Sequence, residues 1–420
     1  MGKKNILYTY CQWLLLIYAL ILYCFSPVFS NDFLLGWDDQ WMVMNQYTEN
    51  GYSWSNIWQI FSQPINGQYS PLVELNFLLL YNLCGYNPFW FHVMSVIWHC
   101  GCVTLLFIFV RKILDKNEDD SPKALKVAWL TSLMFAIHPV NVESVAWISA
   151  VKVPMYAFFY LFSLLMYFDY VISKRRTFYI SSIIFFSCSC LSKEQAIMLP
   201  LSLLLVDWFV GRSLKLKDTW FDKIPFFIIS IFLVLLTFNL QNNSNTVSYT
   251  ILRRIVFGCY SMFEYITKSL IPINLNYLYP YPIMGDGNNL PLRFYLYPFL
   301  VVLLFIWLMY DQKKRIFLWG FLFFIFHLFP FLHIIPIPRL GITADRYLYL
   351  SLVGLLMPFS YWIVSFCENL QYRLLYKVGL GVLVVLYCSY LGGYTKQYSQ
   401  KWENVNSVKG YLRSFIKENG

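Results

Sequence analysis

Apolar runs long enough to cross a membrane recur along the whole chain, and no other feature constrains the fold as strongly. A spanning helix needs roughly 17–25 mostly apolar residues. Runs of this kind begin soon after Lys4 and continue to about Leu391. The composition agrees, since 58% of the residues are hydrophobic, 13% are charged and the mean hydropathy is +0.52. The sequence therefore predicts an all-α membrane protein built as a multi-span helical bundle.

The distribution of basic residues predicts how these spans are oriented. A cytoplasmic N-terminus places most of the 32 Lys and Arg residues in inner loops, as the positive-inside rule requires. The net charge of +10 is therefore interpreted as a topology signal and not as a sign of nucleic-acid binding. The eleven predicted spans lie at about 8–29, 89–110, 127–141, 154–172, 178–191, 196–210, 224–240, 293–310, 316–332, 347–366 and 378–393.

Two adjacent carboxylates, Asp38 and Asp39, follow the first span at the predicted membrane–water boundary. Charged groups at such a depth are costly and therefore mark candidate functional sites. A structural alternative exists, because Asp is favoured at the start of a helix and a helix is predicted to begin near Gln40. A cap needs only one Asp, however, and two neighbouring carboxylates repel each other. The pattern therefore favours a functional pair that shares a cation or a proton.

Further charged residues cluster on the same predicted outer side, at the ends of spans and in the loops beside them. They are His138, Glu143, Lys152, Lys193, Glu194, Arg339, Asp345 and Arg346. Cations and carboxylates on one face suit an enzyme for a phosphate-linked substrate, because cations bind phosphate and a carboxylate can deprotonate a hydroxyl. Structural alternatives stay open, with His138 as a helix stop and Lys193 paired to Glu194. Arg346 followed by Tyr347 also resembles an interfacial anchor.

Two segments are predicted to lie on the outer membrane surface. In the first external segment, 30–88, an apolar stripe recurs at helical spacing and carries tryptophans that favour the interface. The stripe consists of Trp54, Ile57, Trp58 and Phe61. Within 241–292, a second amphipathic helix is predicted over 251–271, and its polar positions are Arg253, Arg254, Glu264 and Lys268. We thus expect a transmembrane domain over 1–393 and a short external tail over 394–420.

Short motifs in a fixed order give the chain a resemblance to a known family. They are Trp37–Asp38–Asp39 with Asn45, Tyr69–Ser70–Pro71–Leu72, Phe91–His92, the run from His138–Pro139 to Ile148, Ser192–Lys193–Glu194–Gln195–Ala196 with Leu199–Pro200 and Asp207, and Asp345–Arg346–Tyr347–Leu348–Tyr349. Each motif is weak alone, but the ordered set extends over roughly residues 8–395. It resembles the integral-membrane GT-C glycosyltransferases, and most closely the transmembrane-and-tetratricopeptide O-mannosyltransferases and their bacterial relatives.

This resemblance implies a GT-C membrane fold, a polyprenyl-phosphate-linked donor and an acidic catalytic base in the first external loop. By position, that base is Asp38 or Asp39. The candidate ligands of the donor phosphate are Lys152, Lys193, Arg339 and Arg346. The candidate supporting residues are His92, His138, Glu143, Glu194, Asp345 and Tyr347.

The chain departs from the family's pattern in three places. Ser70 stands where the family usually has Arg, and only Lys152 remains of a charged run that the family carries after its tryptophan segment. A tetratricopeptide array is not expected, because 34-residue repeats need about three copies and 27 residues follow Gly393. The identity of the family's acceptor therefore transfers poorly to this chain.

We expect an inverting glycosyltransferase of a bacterial inner membrane, with its active site facing outward. It would move a sugar or oligosaccharide from a lipid donor to a hydroxyl, with Ser or Thr of exported proteins as the expected acceptor. An envelope glycan or lipid is the alternative acceptor, and a flippase or transporter of lipid-linked sugars is the alternative from another class. No metal site is predicted, because the acidic residues lack a dedicated oxygen-ligand loop. A loosely bound divalent cation is compatible with the charges.

The predicted topology can be tested with a reporter that is active only outside the cytoplasm. Fused after Gly420, it should be active, because an odd number of spans puts the two termini on opposite sides. A matched fusion in the basic loop at Lys174 should be inactive, since that loop is predicted to be cytoplasmic. Activity at Lys174 with none at Gly420 would reverse the orientation.

Overall fold

The protein is mostly helical over the residues described by the computed structural model, which are 3–118, 122–241, 249–282, 290–310, 315–334, 341–369 and 373–419. In these ranges the β pairing consists of two isolated bridges, Ile65 with Gln68 and Tyr279 with Thr343. The predicted all-α class is therefore confirmed.

The helices follow one another closely from the N-terminus to the C-terminus. The first ten are α1 (Lys3–Cys24), α2 (Asp39–Met42), α3 (Gln46–Glu49), α4 (Trp54–Ser62), α5 (Pro71–Cys84), α6 (Pro88–Glu118), α7 (Pro122–Ala136), α8 (Val142–Ala146), α9 (Lys152–Ser173) and α10 (Arg176–Ser192). The others are α11 (Leu199–Val210), α12 (Lys217–Phe221), α13 (Ile224–Gln241), α14 (Ile251–Leu270), α15 (Leu296–Tyr310), α16 (Arg315–Leu328), α17 (Leu348–Glu368), α18 (Leu374–Gln400) and α19 (Val405–Asn419). Short 3₁₀ turns connect several of them.

The chain is a multi-span membrane protein by the length and composition of its helices. Among the described residues, six stretches are long and apolar enough to cross a membrane, at Pro88–Asp115, Ile148–Ser173, Lys217–Leu240, Leu292–Tyr310, Asp345–Glu368 and Leu374–Gln400. The pair Pro122–Ala136 and Pro139–Ala146, bent by 51°, makes a seventh if it is one broken span. Each of the eleven predicted spans coincides with a helix, but several helices are short, so the number of crossings stays a prediction.

The spanning helices divide into an inner and an outer set. In the helix that includes α9, 78% of the most apolar window is buried within the protein, whereas the corresponding share in α18 is 6%. Helix α9 packs against α10, α6, α11 and α17, while α7 packs on α6 and α17, and α16 packs on α17; together they form the core. The apolar residues of α13, α15 and α18 remain largely exposed, as expected for helices that face lipid tails.

The two predicted surface helices are present, and one of them buries an unexpected residue. In α4, Trp54 is 79% exposed while Ile60 on the opposite side is buried, as the amphipathic pattern predicts. In α14 the apolar Leu252 is exposed and the cationic Lys268 is buried. Lys268 is buried although it lies on the predicted polar face, because its ammonium is 3.4 Å from an oxygen of Asp345.

Helices α16 and α17 pack closely because two glycines face each other where they cross. A Cβ added at Gly354 would overlap the backbone oxygen of Gly320, and a Cβ added at Gly320 would overlap the oxygen of Gly354. Small residues allow this approach, which supports packing in membranes where no hydrophobic driving force acts between helices.

Replacement of Gly354 by Ala should lower the thermal unfolding temperature in detergent. The clash with Gly320 should cost about 1–3 kcal/mol, as overpacking of a tight core does. Gly379→Ala is the matched control, because a Cβ at Gly379 in α18 would meet nothing within 4 Å. Equal unfolding temperatures for the two variants would contradict the proposed tight crossing.

Candidate active site

A cavity of about 1390 Å³ collects most of the predicted site residues. Its walls come from the loop before α2, the turn between α4 and α5, the starts of α8 and α9, the segment between α10 and α11, α13 and the loop before α17. The predicted residues that line it are Asp38, Glu143, Lys152, Lys193, Glu194, Arg346 and Tyr347. Residues from separate spans therefore meet in one charged space.

The two neighbouring aspartates have different surroundings. Asp39 is fully buried, and its carboxylate accepts hydrogen bonds from the backbone N–H of Leu34 (2.8 Å), the backbone N–H of Ser149 (2.9 Å) and the hydroxyl of Ser149. Burial raises the pKa of Asp39 to about 6, and these hydrogen bonds oppose the rise. These three hydrogen bonds fasten the loop to the segment just before α9.

Asp38 is the aspartate that faces the cavity. It is half-buried, lines the cavity wall and stands at the N-terminal end of α2. Its side chain makes no capping hydrogen bond to that helix. The structural alternative of a helix cap therefore has no support from the observed hydrogen bonds, and the Asp38 oxygens are available to a ligand.

Lys152, at the first position of α9, is the least neutralised of the described lining cations. Its ammonium donates a hydrogen bond of 2.7 Å to the amide oxygen of Gln68, and no carboxylate of the described chain lies within ion-pair distance. It lies within electrostatic range of Asp38 and of the other lining cations Lys193 and Arg346. A phosphate could therefore approach Lys152 by displacing a neutral partner.

Lys193 and Arg346 each lie beside a carboxylate. The ammonium of buried Lys193 is 3.7 Å from the exposed carboxylate of Glu194, which fits the structural ion pair considered from the sequence. Arg346 donates to the buried carboxylate of Glu143 from its backbone N–H (2.7 Å) and from its guanidinium. Since both contacts involve one carboxylate, Glu143 sets the direction of the Arg346 side chain.

Four of the predicted residues do not line the cavity, and a fifth is outside the described residues. Asp39 is the loop anchor described above, and buried His92 takes no part in the wall. His138 accepts from the N–H of Val140 at the start of a 3₁₀ turn, with its Nε2 3.1 Å from the oxygen of Ser269, as its structural interpretation predicts. Asp345 is buried against Tyr279 and Lys268. Arg339 is outside the described residues.

The described part of the chain contains no group of three or more His, Cys, Asp or Glu side chains placed to hold a metal ion. Of the lining carboxylates, Glu143 and Glu194 lie beside Arg346 and Lys193. The loosely bound divalent cation therefore stays a prediction.

Glu74 is a buried carboxyl group beside the site that sequence analysis missed. It is 3% exposed, and its Oε2 accepts a hydrogen bond of 3.3 Å from the side chain of Asn45, which lines the cavity. Burial raises the pKa of Glu74 to about 8, against the opposing effects of Asn45 and Lys152. Its place within an apolar run after Pro71 was the available signal, because a charge there requires a partner.

The fold and the cavity are those of a multi-span membrane protein with a charged pocket, and its sequence is similar to protein O-mannosyl-transferases. Mouse TMTC1 is 32% identical over 133 residues, which are 29% of this chain and 13% of the relative. Human TMTC2 is 32% identical over 155 residues (36% and 18%), and F38B6.6 of Caenorhabditis elegans is 27% identical over 212 residues (48% and 29%). The sequence resemblance to this group is therefore confirmed.

These matches cover less than a third of the length of each of these relatives. No protein-family model matches the chain. Among solved structures, ArnT from Cupriavidus metallidurans bound to undecaprenyl phosphate aligns with a TM-score of 0.47 and 12% identity, over 96% of this chain and 78% of that chain.

Glu74→Gln should remove part of the pH dependence of stability. Because the folded pKa of about 8 exceeds the ordinary value of 4.5, Glu74 contributes stability that is complete below pH 4.5 and is lost as the pH rises through 8. Unfolding temperatures of the wild type and the variant should therefore diverge between pH 5 and 9, with the variant favoured at the alkaline end.

Glu49→Gln is the control for this measurement, because Glu49 lies at the end of α3 in the same external segment and its side chain is exposed. It should follow the wild-type pH profile. If Glu74→Gln also follows that profile, Glu74 does not titrate between the two pH limits and is not the buried acid described here.

Proposed function

We propose that this chain is a membrane glycosyltransferase that moves a sugar or oligosaccharide from a polyprenyl-phosphate-type donor to a hydroxyl acceptor. The observation that carries the proposal is that one cavity contains the carboxylate of Asp38 and the ammonium of Lys152, neither of which has an ion-pair partner among the described residues. The matched relatives are named protein O-mannosyl-transferases, which supports the same class of reaction.

The donor side of the cavity combines cations with an apolar wall. Lys152, Lys193 and Arg346 line one part of it. Leu233, Leu236, Leu240 and other residues of α13 line another, and the remaining faces of α13 are exposed as in a lipid-facing helix. A ligand with an anionic head and a long apolar chain fits this combination, because each part meets a surface of matching polarity. Arg339 stays a further candidate for the phosphate.

The proposed reaction is a single displacement at the anomeric carbon. Asp38 takes the proton of the acceptor hydroxyl, whose oxygen then forms a bond to that carbon. The bond from the carbon to the phosphate oxygen breaks, and the lipid phosphate leaves with the electron pair. Lys152, Lys193 and Arg346 stabilise the charge that develops on the leaving group. Attack from the face opposite the leaving group inverts the anomeric configuration, as in glycosidases that use one direct displacement.

The other predicted residues have supporting roles in this proposal. Asp39 positions Asp38 through the loop that it anchors. Glu143 directs Arg346, and Tyr347, which stacks on Phe331 with ring centroids 3.8 Å apart, forms part of the wall. The supporting roles of His92, His138, Glu194 and Asp345 rest on the resemblance.

We place the enzyme in a bacterial inner membrane, with the N-terminus in the cytoplasm and the cavity on the outer side. The proposed acceptor is a Ser or Thr hydroxyl of an exported protein, in line with the names of the relatives. An envelope glycan or lipid is the alternative acceptor. The two are distinguished by where the label appears when enzyme and donor are supplied with an exported-protein fraction and with an envelope-lipid fraction.

Replacement of Asp38 by Asn should abolish most of the transfer from a polyprenyl-phosphate mannose donor with radiolabelled mannose. Asn keeps the size of the side chain but cannot accept the proton, so the rate should fall by about 10²–10⁴-fold. Binding of the polyprenyl phosphate and the unfolding temperature should be largely retained. Asp39→Asn should also lose activity, together with stability, because an NH₂ group replaces one of the two buried oxygens that accept from Leu34 and Ser149.

Asp32→Asn is the matched control in the same loop, since the Asp32 side chain is exposed and does not line the cavity. It should transfer at the wild-type rate. If Asp38→Asn transfers at that rate as well, Asp38 is not the base. If the wild type binds polyprenyl phosphate and moves it across vesicles without transferring sugar, the flippase alternative replaces the proposed function.

A further inference from the structure

Four aromatic residues form a continuous cluster at the cavity, with three rings in its wall and one behind them. The members of this aromatic cluster are Trp37, Trp147, Tyr277 and Trp402. Trp37 lies 4.5 Å from Tyr277 and 6.0 Å from Trp147, measured between ring centroids. Trp402 stacks on Trp147 at 6.1 Å, with 27° between the ring planes, and meets Tyr277 edge-on at 6.5 Å.

Trp402 is the one member of the aromatic cluster that does not line the cavity. Trp37, Trp147 and Tyr277 all belong to its wall, whereas Trp402 is 2% exposed and lies behind them. A ligand in the cavity would therefore touch the other three rings without touching Trp402. An effect of the Trp402 ring on a reaction in the cavity therefore acts at one remove, through the rings that it touches or through the chain beside it.

The aromatic cluster adjoins two of the charged residues that the proposed reaction uses, Asp38 and Arg346. Trp37 directly precedes Asp38 in the chain, so the place of its ring limits where the Asp38 carboxylate can lie. The guanidinium of Arg346 lies 5.6 Å from the ring of Trp147, within the range of a cation–π contact. Trp402 packs against Trp147 and so helps to set the place of the ring that supports Arg346.

Backbone contacts attach the same C-terminal segment to the loop that carries Asp38. The backbone N–H of Asp32 donates to the oxygen of Glu403 at 2.8 Å. The side-chain amide of Asn31 donates to the oxygen of Ser399 at 3.2 Å, and both Asn31 and Ser399 are buried. Residues 399–403 therefore hold the start of the first external loop from behind.

Residues 398–402, at and just after the end of α18, are more buried than the apolar part of that helix. Most side chains of its apolar part are exposed, whereas Tyr398, Ser399 and Trp402 at its end are buried. In α19, the hydroxyl of Tyr411 donates to the oxygen of Leu275 at 2.9 Å and so fixes the stretch before Tyr277. Residues 398–402 and Tyr411 thus pack against segments that form the back of the cavity.

We propose that Trp402 is a positioning residue for the transfer reaction, because it holds Trp147 and Tyr277 and thereby sets the separation of Asp38 and Arg346. The effect on the reaction rests on the proposed function, whereas the effect of Trp402 on the positions of Trp147 and Tyr277 does not. Loss of the Trp402 ring leaves Trp147 without its stacking partner and Tyr277 without an edge contact. Both walls of the cavity can then shift, and displacements of about 1 Å can cost about 100-fold in rate.

The test compares Trp402→Ala, Trp402→Leu and Trp402→Phe with Trp319→Ala in the full chain in detergent. Trp319 is an equally buried tryptophan in α16 that stacks on Phe323 at 5.0 Å and does not line the cavity. Leu keeps much of the apolar volume without a ring, so the chain should fold even if Ala is not tolerated. Phe restores an aromatic partner.

Two measurements are made on each variant, kcat and KM for labelled polyprenyl-phosphate mannose and amide hydrogen exchange over 31–41 and 143–149. Trp402→Ala and Trp402→Leu should lower kcat by roughly 10–100-fold and speed exchange in both segments, and Trp402→Phe should recover most of both. Trp319→Ala should lower the unfolding temperature and leave kcat per folded molecule and both exchange rates at wild-type values.

The outcomes separate this inference from the function on which it rests. Wild-type kcat and wild-type exchange in Trp402→Leu would overturn the positioning role, and so would equal losses in Trp319→Ala. A wild type without transferase activity, combined with faster exchange in the Trp402 variants alone, would overturn the proposed function and support the hold of Trp402 on the loop.

Discussion

The buried carboxylate of Asp39 joins the first external segment to the helical bundle. It accepts hydrogen bonds from Leu34 on one side and from Ser149, just before α9, on the other. A buried carboxylate without partners costs several kcal/mol, and charge-assisted hydrogen bonds offset that cost only while the donors stay in place. The loop and the start of α9 are therefore held in one arrangement, in which Asp38 and Lys152 line the same cavity.

The charges of the cavity are arranged as pairs with two exceptions. Glu143 lies against Arg346, and Glu194 lies beside Lys193. Asp38 and Lys152 have no such partner of opposite charge at contact distance among the described residues. Pairing reduces the cost of burying Glu143 and Lys193, and Asp38 and Lys152 remain able to exchange a proton or an ion with a substrate. In this site, residues that hold the geometry are distinct from residues that are available to react.

Sequence patterns predicted the helices well, because apolar runs and amphipathic periods are local properties. They also predicted that Asp38, Lys152, Lys193 and Arg346 lie on one side, since the positive-inside rule orders the loops. The roles within the site depend on contacts between distant segments. Nothing near Asp39 in the chain shows that Ser149 binds it, so the two aspartates could not be told apart.

The residues that sequence analysis missed depend on such contacts as well. Lys268 was placed on the polar face of a surface helix, yet it is buried, because Asp345 lies 77 positions away along the chain and beside it in space. The roles of Glu74 and Trp402 likewise depend on contacts with residues distant in the chain, Asn45 for Glu74 and Trp147 for Trp402. The periodicity of apolar residues predicts which face of a helix is buried on average. It does not predict which residue from another segment contacts a given side chain.

The hydrogen bond between Lys152 and Gln68 has a consequence for turnover. Gln68 belongs to a tight turn in which Asn66 and Gly67 both adopt positive φ angles, so its amide is presented by a short, well-defined stretch of backbone. When an anion leaves Lys152, the amide oxygen of Gln68 can accept the hydrogen bond of the ammonium in its place. Lys152 therefore has a hydrogen-bond partner even when the cavity holds no anion. A cation that has a neutral protein partner can therefore bind an anion and release it without losing every hydrogen bond.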